Sequence, residues 1–426
     1  MRGHRIGCRN GNRHDVQRTL GNVYVHSAGN RSGRQLHVYD FIEHHRTVSD
    51  GHRGHLERIE PSEGCCCTPI EPFTNIRRVT RRAFIATAPL VAIMARRRAR
   101  ADELVASTVT VDMHSHAGRI GGVRNVEEHR DFAAVARPMR AGGMAAVCFA
   151  IIADSPCHRV MPDGRIHPYR EPEPGELYRY AKMSFERLHS LIERERLALV
   201  TDAAALRAAS GKTPSAIVAS EGADFLEGDP DRIDEAYEVY KLRHLQLTHY
   251  RVNELGDIQT EYPVHNGLTD AGVEVIRRCN KLGIVVDVAH GTYELVKRAA
   301  SVATKPLILS HTSFRADPGA RSRLISADHA RAIAATGGVI GVWPPATVFR
   351  DLRAMARGIA QLAEIVGVEH VGLGTDMLGL VGGSVFDRYE RLPDLAHALL
   401  DTGFKTSEVA AILGGNYVRV FEASLA

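Results

Sequence analysis

The stretch Val109-Thr110-Val111-Asp112-Met113-His114-Ser115-His116 opens as a β-branched strand and ends in two imidazoles one residue apart. Strand side chains alternate between faces, so His114 and His116 point the same way and can grip one metal ion from one side. Two neighbouring histidines alone carry little weight; what gives this pair weight is repetition. Glu221 follows Ala216-Ile217-Val218, His290 follows Ile284-Val285-Val286, His311 follows Leu307-Ile308-Leu309, and Asp376 follows His370-Val371-Gly372. Each ligand-type side chain stands where a short apolar run gives out. In a (β/α)8 barrel the C-terminal ends of all strands meet on one face, where that fold keeps its active sites. Imidazoles and carboxylates gathered there are the donors of a hydrolytic metal centre.

From residue 104 onward, eight apolar runs alternate with helical patterns: 107–112, 145–152, 215–220, 244–248, 284–289, 306–310, 338–342 and 370–375. The helical patterns between them include 175–195, 232–242, 270–282, 292–300, 326–335 and 351–366, and two more, 405–413 and 416–424, close the chain. Such alternation is the signature of a parallel sheet covered by helices. The expected architecture is α/β, a TIM-type (β/α)8 barrel with extra C-terminal helices, over residues 102–426. Within it, Thr269 and Gly283 read as the N-cap and C-cap of one helix.

The 426 residues are 44% hydrophobic and 24% charged, an ordinary globular balance that supports a sizeable core. The formal charge of +4 averages two unlike parts. Residues 1–101 hold 18 Arg, no Lys and 8 acidic residues, a balance of +10, which leaves 36 basic against 42 acidic, or −6, for the rest. A nucleic-acid-binding protein needs its positive charge on the folded body, so nucleic acid is not an expected partner. Residues 1–75, rich in Arg, His and Gly and lacking any sustained period, read as a disordered or misassigned extension. Residues 76–101 are similar to a twin-arginine signal: Thr80-Arg81-Arg82-Ala83-Phe84-Ile85 leads into an apolar run, 86–95, and Ala99-Arg100-Ala101 offers a cleavage point. Export to the periplasm is the expectation, with a cytoplasmic protein if that reading fails. The apolar run is too short to span a bilayer in the mature protein. Cys148, Cys157 and Cys279, an odd number at unrelated spacings, imply neither a disulfide framework nor a thiolate site.

The chemistry follows from the residue types. Gly222 lets the backbone turn immediately after Glu221, whose two oxygens can bridge two cations. His290 and His311, from consecutive strands, supply nitrogen ligands to the second. Asp376 is placed to hold or deprotonate the bridging water and pass its proton to the leaving group. Asp112 and Asp287, next to ligands, are expected to accept from imidazole N–H groups. His129, His158, His167, His189, His265, His329 and His397 fall in expected loops or helices and read as surface or structural residues.

The motifs, in order, are H-x-H at 114–116, Glu221-Gly222, Leu247-Thr248-His249, Asn266-Gly267-Leu268-Thr269, Val286-Asp287-Val288-Ala289-His290 and Ser310-His311-Thr312. Gly337-Gly338-Val339-Ile340-Gly341, Gly374-Thr375-Asp376 and the run from Gly414 to Phe421 follow. Over residues 108–422 this series resembles the membrane (renal) dipeptidase family of zinc peptidases. The resemblance implies two divalent metal ions, zinc foremost. His114 and position 116 would bind one and His290 and His311 the other, with Glu221 bridging and Asp376 as acid/base. It further implies that His249 polarises the substrate carbonyl and that Arg323 holds the substrate's C-terminal carboxylate, with Arg321 competing for that task. One departure stands out: the family usually carries aspartate where this chain has His116.

The resulting expectation is a zinc-dependent dipeptidase, a small peptide as its partner, acting through a metal-bridged hydroxide; a homodimer is left open. An amidase or lactonase of amidohydrolase type is the alternative, for which H-x-H is the more ordinary pattern. A barrel that binds metal without turnover is the third reading, and intact Glu221, His249 and Asp376 argue against it.

Overall fold

The computed structural model describes residues 98–120 and 131–426. The expected extension, 1–75, lies outside the described residues, as does the expected signal segment up to residue 97. Residues 98–107 are helical, so the expected boundary after residue 101 falls inside a helix. On that helix Ala101, Leu104 and Val105 are buried in the core.

Eight parallel strands form the centre: β1 Val111–Ser115, β2 Ala146–Ile152, β3 Ser215–Glu221, β4 Leu242–Gln246, β5 Val285–Asp287, β6 Ile308–Thr312, β7 Val339–Val342 and β8 Val371–Leu373. They pair in sequence order. The ring is completed by a parallel bridge between Ser115 and Met377, with His116 N–H donating to Met377 C=O at 3.0 Å and Asp376 N–H to His114 C=O at 2.9 Å. The expected (β/α)8 architecture is therefore present, and the last β-strand loop is tied directly to the first.

Local sequence explains the helices. Thr269 caps Asp270–Leu282 by accepting from Gly272 N–H at 3.1 Å, and Gly283 ends it at φ 78°. Thr292, Ser326 and Asp351 cap Tyr293–Val302, Ala327–Ala334 and Leu352–Val366 in the same way. Each such cap is worth about 1 kcal/mol. Their apolar faces join the outward-facing side of the strands in one large core. A second cluster fills the barrel: Val111, Met113, Ile217, Val285 and Ile308 meet Tyr417, Val420 and Phe421 of the C-terminal helix Asn416–Leu425. That helix, one of the two extra C-terminal helices expected, lies at the end of the barrel opposite the ligand-bearing ends, where Asn416 donates to the Val368 and Val371 carbonyls at 2.8 Å.

The first strand differs from its expected position. It runs over Val111–Ser115 rather than 107–112, because residues 98–107 take helical conformation and the strand continues through buried polar side chains. His114 thus lies within β1 and His116 just past it. A short hairpin, His158–Val160 with Ile166–Pro168, and the helices Ala136–Gly142 and Leu392–Thr402 had no expected counterpart.

Candidate metal centre

Glu221 closes β3, and Gly222 follows at φ 83°, a left-handed conformation that suits glycine. The carboxylate is buried and ringed by imidazoles. Its Oε1 lies 3.3 Å from His114 Nε2, 3.3 Å from His290 Nε2 and 3.4 Å from His311 Nε2. Its Oε2 lies 3.1 Å from His116 Nε2 and 3.2 Å from His249 Nε2. Asp376 Oδ1 approaches His116 Nε2 at 3.4 Å. The structure thus brings together all six residues expected to bind metal, with His249 beside them. His114 belongs to two groupings, one with His116 and Asp376 and one with Glu221 and His311.

Other contacts aim these rings. His116 Nδ1 lies 2.8 Å from Ala150 C=O and His311 Nδ1 2.9 Å from Ser310 Oγ, which leaves both Nε2 atoms facing Glu221. His290 and Asp376 sit in left-handed backbone, φ 67° and φ 49°. For non-glycine residues this conformation carries strain, and here it falls on two residues of one site.

The donor set suits divalent cations. His290 and His311 present Nε2 atoms 3.1 Å apart. Burial first, then the charge of Arg323 for His290 and of His114 for His311, holds both imidazoles well below their usual range and so neutral. Neutral imidazole is the ligating form. His114 Nε2, though 3.3 Å from Glu221 Oε1, is buried without a hydrogen bond of acceptable geometry among the described residues. Burial would raise the Glu221 carboxyl, but the neighbouring His249 and His114 outweigh it and hold it well below the carboxylate range. At His116 burial opposes protonation, yet the Asp376 and Glu221 carboxylates raise the ring to about 10. Two anions that pull a proton onto a buried ring are two anions in need of positive charge. These buried His and carboxylate clusters form a metal-binding site.

Sequence reasoning missed a second layer. Asp154, just past β2, is fully buried; its Oδ1 lies 2.6 Å from His249 Nδ1 and 3.3 Å from His158 Nε2, and its Oδ2 accepts from Tyr250 N–H at 3.0 Å. Burial would raise this carboxyl, and the charges of His249 and His158 instead lower it below the usual range. His158, read from sequence as a surface or structural residue, stands 5.1 Å, ring to ring, from His249. The signal available was the pair Asp154 and His158 flanking Pro156 at a strand end.

Two expectations are corrected. Among the described residues Asp112 meets no imidazole N–H: it accepts from Thr375 N–H and Oγ1–H, from Tyr389 O–H and from the His114 backbone N–H, tying β1 to the loop that carries Asp376. Asp287 does pair with an imidazole, at 3.1 Å, but that ring is His244 and not one of the expected ligands.

A cavity of about 400 Å³ adjoins the centre, lined by Asp376, Tyr250, Trp343 and Arg323 among others. Arg323 donates to Gln259 Oε1 at 2.7 Å, and its guanidinium carbon lies 5.4 Å from the Trp343 ring centre. Arg321 instead stacks over Tyr262 at 4.7 Å and is absent from the cavity lining. No helix among the described residues is long and apolar enough to cross a membrane.

The comparisons agree with this geometry. The chain is 30% identical over 194 residues to the dipeptidase aclJ of Aspergillus oryzae, covering 43% of this chain and 46% of that protein. It is 26% identical over 258 residues to the dipeptidase verJ of Clonostachys rogersoniana, covering 58% and 66%. The chain thus spans about half to two thirds of the length of these relatives. The probable dipeptidase PvdM from Pseudomonas aeruginosa has the same fold: TM-score 0.65, 16% identity, covering 78% of this chain and 99% of that one. So does a metallo peptidase from Rhodobacter sphaeroides, liganded with a phosphinate mimic of L-Ala-D-Ala: TM-score 0.60, 20% identity, covering 75% and 100%. The family described as membrane dipeptidase, peptidase family M19, matches residues 98–425, which include every residue of the centre. The chain belongs to the membrane dipeptidase family, M19.

Proposed function

We propose that the protein is a metal-dependent dipeptidase, hydrolysing the peptide bond of dipeptides with two divalent ions, zinc foremost. The observation that carries this reading is the Glu221 carboxylate with five imidazole Nε2 atoms within 3.4 Å, divided between its two oxygens. His114, His116, Glu221, His290, His311 and Asp376 would hold the ions. When bound, they supply Lewis-acid polarisation of the scissile carbonyl and activation of water.

The side chains supply the rest. Asp376, at the junction of cavity and centre, takes the proton of the attacking water and returns it to the departing amine. His249, its Nδ1 engaged by Asp154, turns Nε2 toward the reacting carbonyl and stabilises the developing oxyanion when protonated there. Arg323 keeps a buried Nε–H without a partner among the described residues, a donor suited to the substrate's free carboxylate. Because the Rhodobacter sphaeroides structure holds a mimic of L-Ala-D-Ala, dipeptides with D-configured C-terminal residues belong among the candidates.

The test is hydrolysis of L,L and L,D dipeptides by zinc-reconstituted protein, with Asp376→Asn as control and metal content measured on both. Turnover that disappears in the control supports the reading; two bound metals without cleavage of any dipeptide sinks it. A second reading, an amidase or lactonase, is favoured by one observation, His116 where the family usually has aspartate, and would then be tested on amides and lactones. Export by the twin-arginine route rests on Arg81-Arg82 and the apolar run that follows. N-terminal sequencing of native protein starting well before residue 80 would contradict it.

A further inference from the structure

We infer that the preferred substrates are dipeptides whose C-terminal residue carries a side-chain carboxylate, aspartate or glutamate. This rests on the dipeptidase reading and specifies its substrate. The cavity beside the metal centre is one-sided in charge: Arg165, Arg315 and Arg323 line it against a single carboxylate, Asp376. That carboxylate is already directed at His116.

Hydrogen-bonding capacity is one-sided too. Arg323 Nε, Trp343 Nε1 and Thr260 Oγ1 all belong to residues lining the cavity, and all are buried without a partner among the described residues. The first two can only donate. Buried donors left unpaired cost their desolvation, so the ligand that fits is one rich in acceptor oxygens.

One carboxylate does not exhaust this site. Bound at Arg323, the α-carboxylate of a dipeptide leaves Arg315 and Arg165 uncompensated. Arg315, in the loop after β6, has no side-chain partner among the described residues; Arg165, at the tip of the hairpin, donates its backbone N–H to Asp163 Oδ1 at 3.0 Å, while its guanidinium donates to the Arg321 carbonyl. The nearby acids Asp163 and Glu261 both turn to His167, at 3.0 and 2.6 Å, and neither forms an ion pair with Arg165 or Arg315 among the described residues. A second carboxylate, on the same residue that Arg323 anchors, meets these two guanidinium groups at the cavity rim. A neutral side chain gains nothing there, and a lysine or arginine side chain is repelled.

The experiment compares kcat/KM of the zinc-loaded protein for Ala-Glu, Ala-Gln, Ala-Asp, Ala-Asn and Ala-Lys, with the C-terminal residue in both configurations. The measurements are repeated for Arg315→Gln and Arg165→Gln. The acidic member of each isosteric pair is expected to lead by about tenfold, with Ala-Lys last. The lead should shrink to about threefold or less in Arg315→Gln, and also at high salt, which screens exposed charges. Because the readout is a ratio within one variant, partial loss of folded protein cancels. Equal rates for Glu and Gln substrates overturn the inference and leave the dipeptidase reading standing; so does a ratio that neither substitution changes. Failure to hydrolyse any dipeptide with both metals bound takes down the dipeptidase reading, and this inference with it.

Discussion

Asp154 and His249 share a 2.6 Å contact between Oδ1 and Nδ1 while the opposite nitrogen of the same ring lies 3.2 Å from Glu221. The carboxylate therefore fixes which nitrogen faces Glu221, and its own burial makes the contact hard to replace with water. Asp154→Asn should keep the shape and remove the negative charge that sits against His249 Nδ1. The expected result is a fall in kcat of about 10²-fold with a smaller change in KM, since the oxyanion contact proposed for His249 would form in the transition state. Steady-state kinetics on a dipeptide with metal content measured in parallel decide it. Equal loss in kcat and metal occupancy would instead make Asp154 a support of the metal centre.

His116 offers a different test. Its Nε2 faces both Glu221 and Asp376, so His116→Asp would put a third anion where the family usually has one. An anionic ligand lowers the positive charge of the centre, and the acid limb of the kcat/KM profile should move to higher pH. Metal retention against a chelator should rise by about tenfold. A limb that moves to lower pH contradicts this account of the departure.

Much of this site was legible in sequence because strand ends are marked twice, by an apolar run and by the polar residue that stops it. Glu221, His290, His311 and Asp376 all carry that double mark. His114 carries it less cleanly, since β1 continues through Asp112 and His114 as a buried polar strand and so extends past its apolar run. Asp154 carries it too, just beyond the apolar run 145–152, whereas His158 does not. Their significance lies in a contact with His249 across some ninety positions, which only the closed barrel creates. Arg321 and Arg323 differ by loop geometry alone: Arg321 takes φ 53° and turns to Tyr262, while Arg323 enters the cavity.

Gly379 tests how little room the centre has. A Cβ there would lie 2.0 Å from Asp376 Oδ1 and 2.7 Å from His116 Cδ2. Gly379→Ala must relieve both contacts, and with Asp376 in the acid/base role proposed for it a misplacement of about 1 Å costs about 10²-fold in rate. The residue lies in a loop and is only half-buried, so the stability change should stay within about 1 kcal/mol. Kinetics and denaturant melts on the same preparation separate the two effects. Unimpaired turnover would mean that the loop gives way and that Asp376 is less tightly placed than its contacts indicate.

His329 bears on stability away from the chemistry. It is buried on Ala327–Ala334, near Tyr293, and burial together with the charge of Arg323 pushes its imidazole down to about 4. The unfolded chain, with an ordinary value near 6.5, therefore binds a proton that the fold refuses. Its contribution is present in full above pH 6.5 and is lost as the pH falls through about 4; a shift of this size amounts to roughly 3 kcal/mol. His329→Leu removes the titration and leaves an apolar side chain in an apolar place. Urea denaturation of both proteins at pH 7, 5.5 and 4.5 should show the variant gaining on the parent as the solution is acidified, by about 2 kcal/mol over the range. Parallel pH dependences would show that the folded protein accepts the proton on His329 without cost.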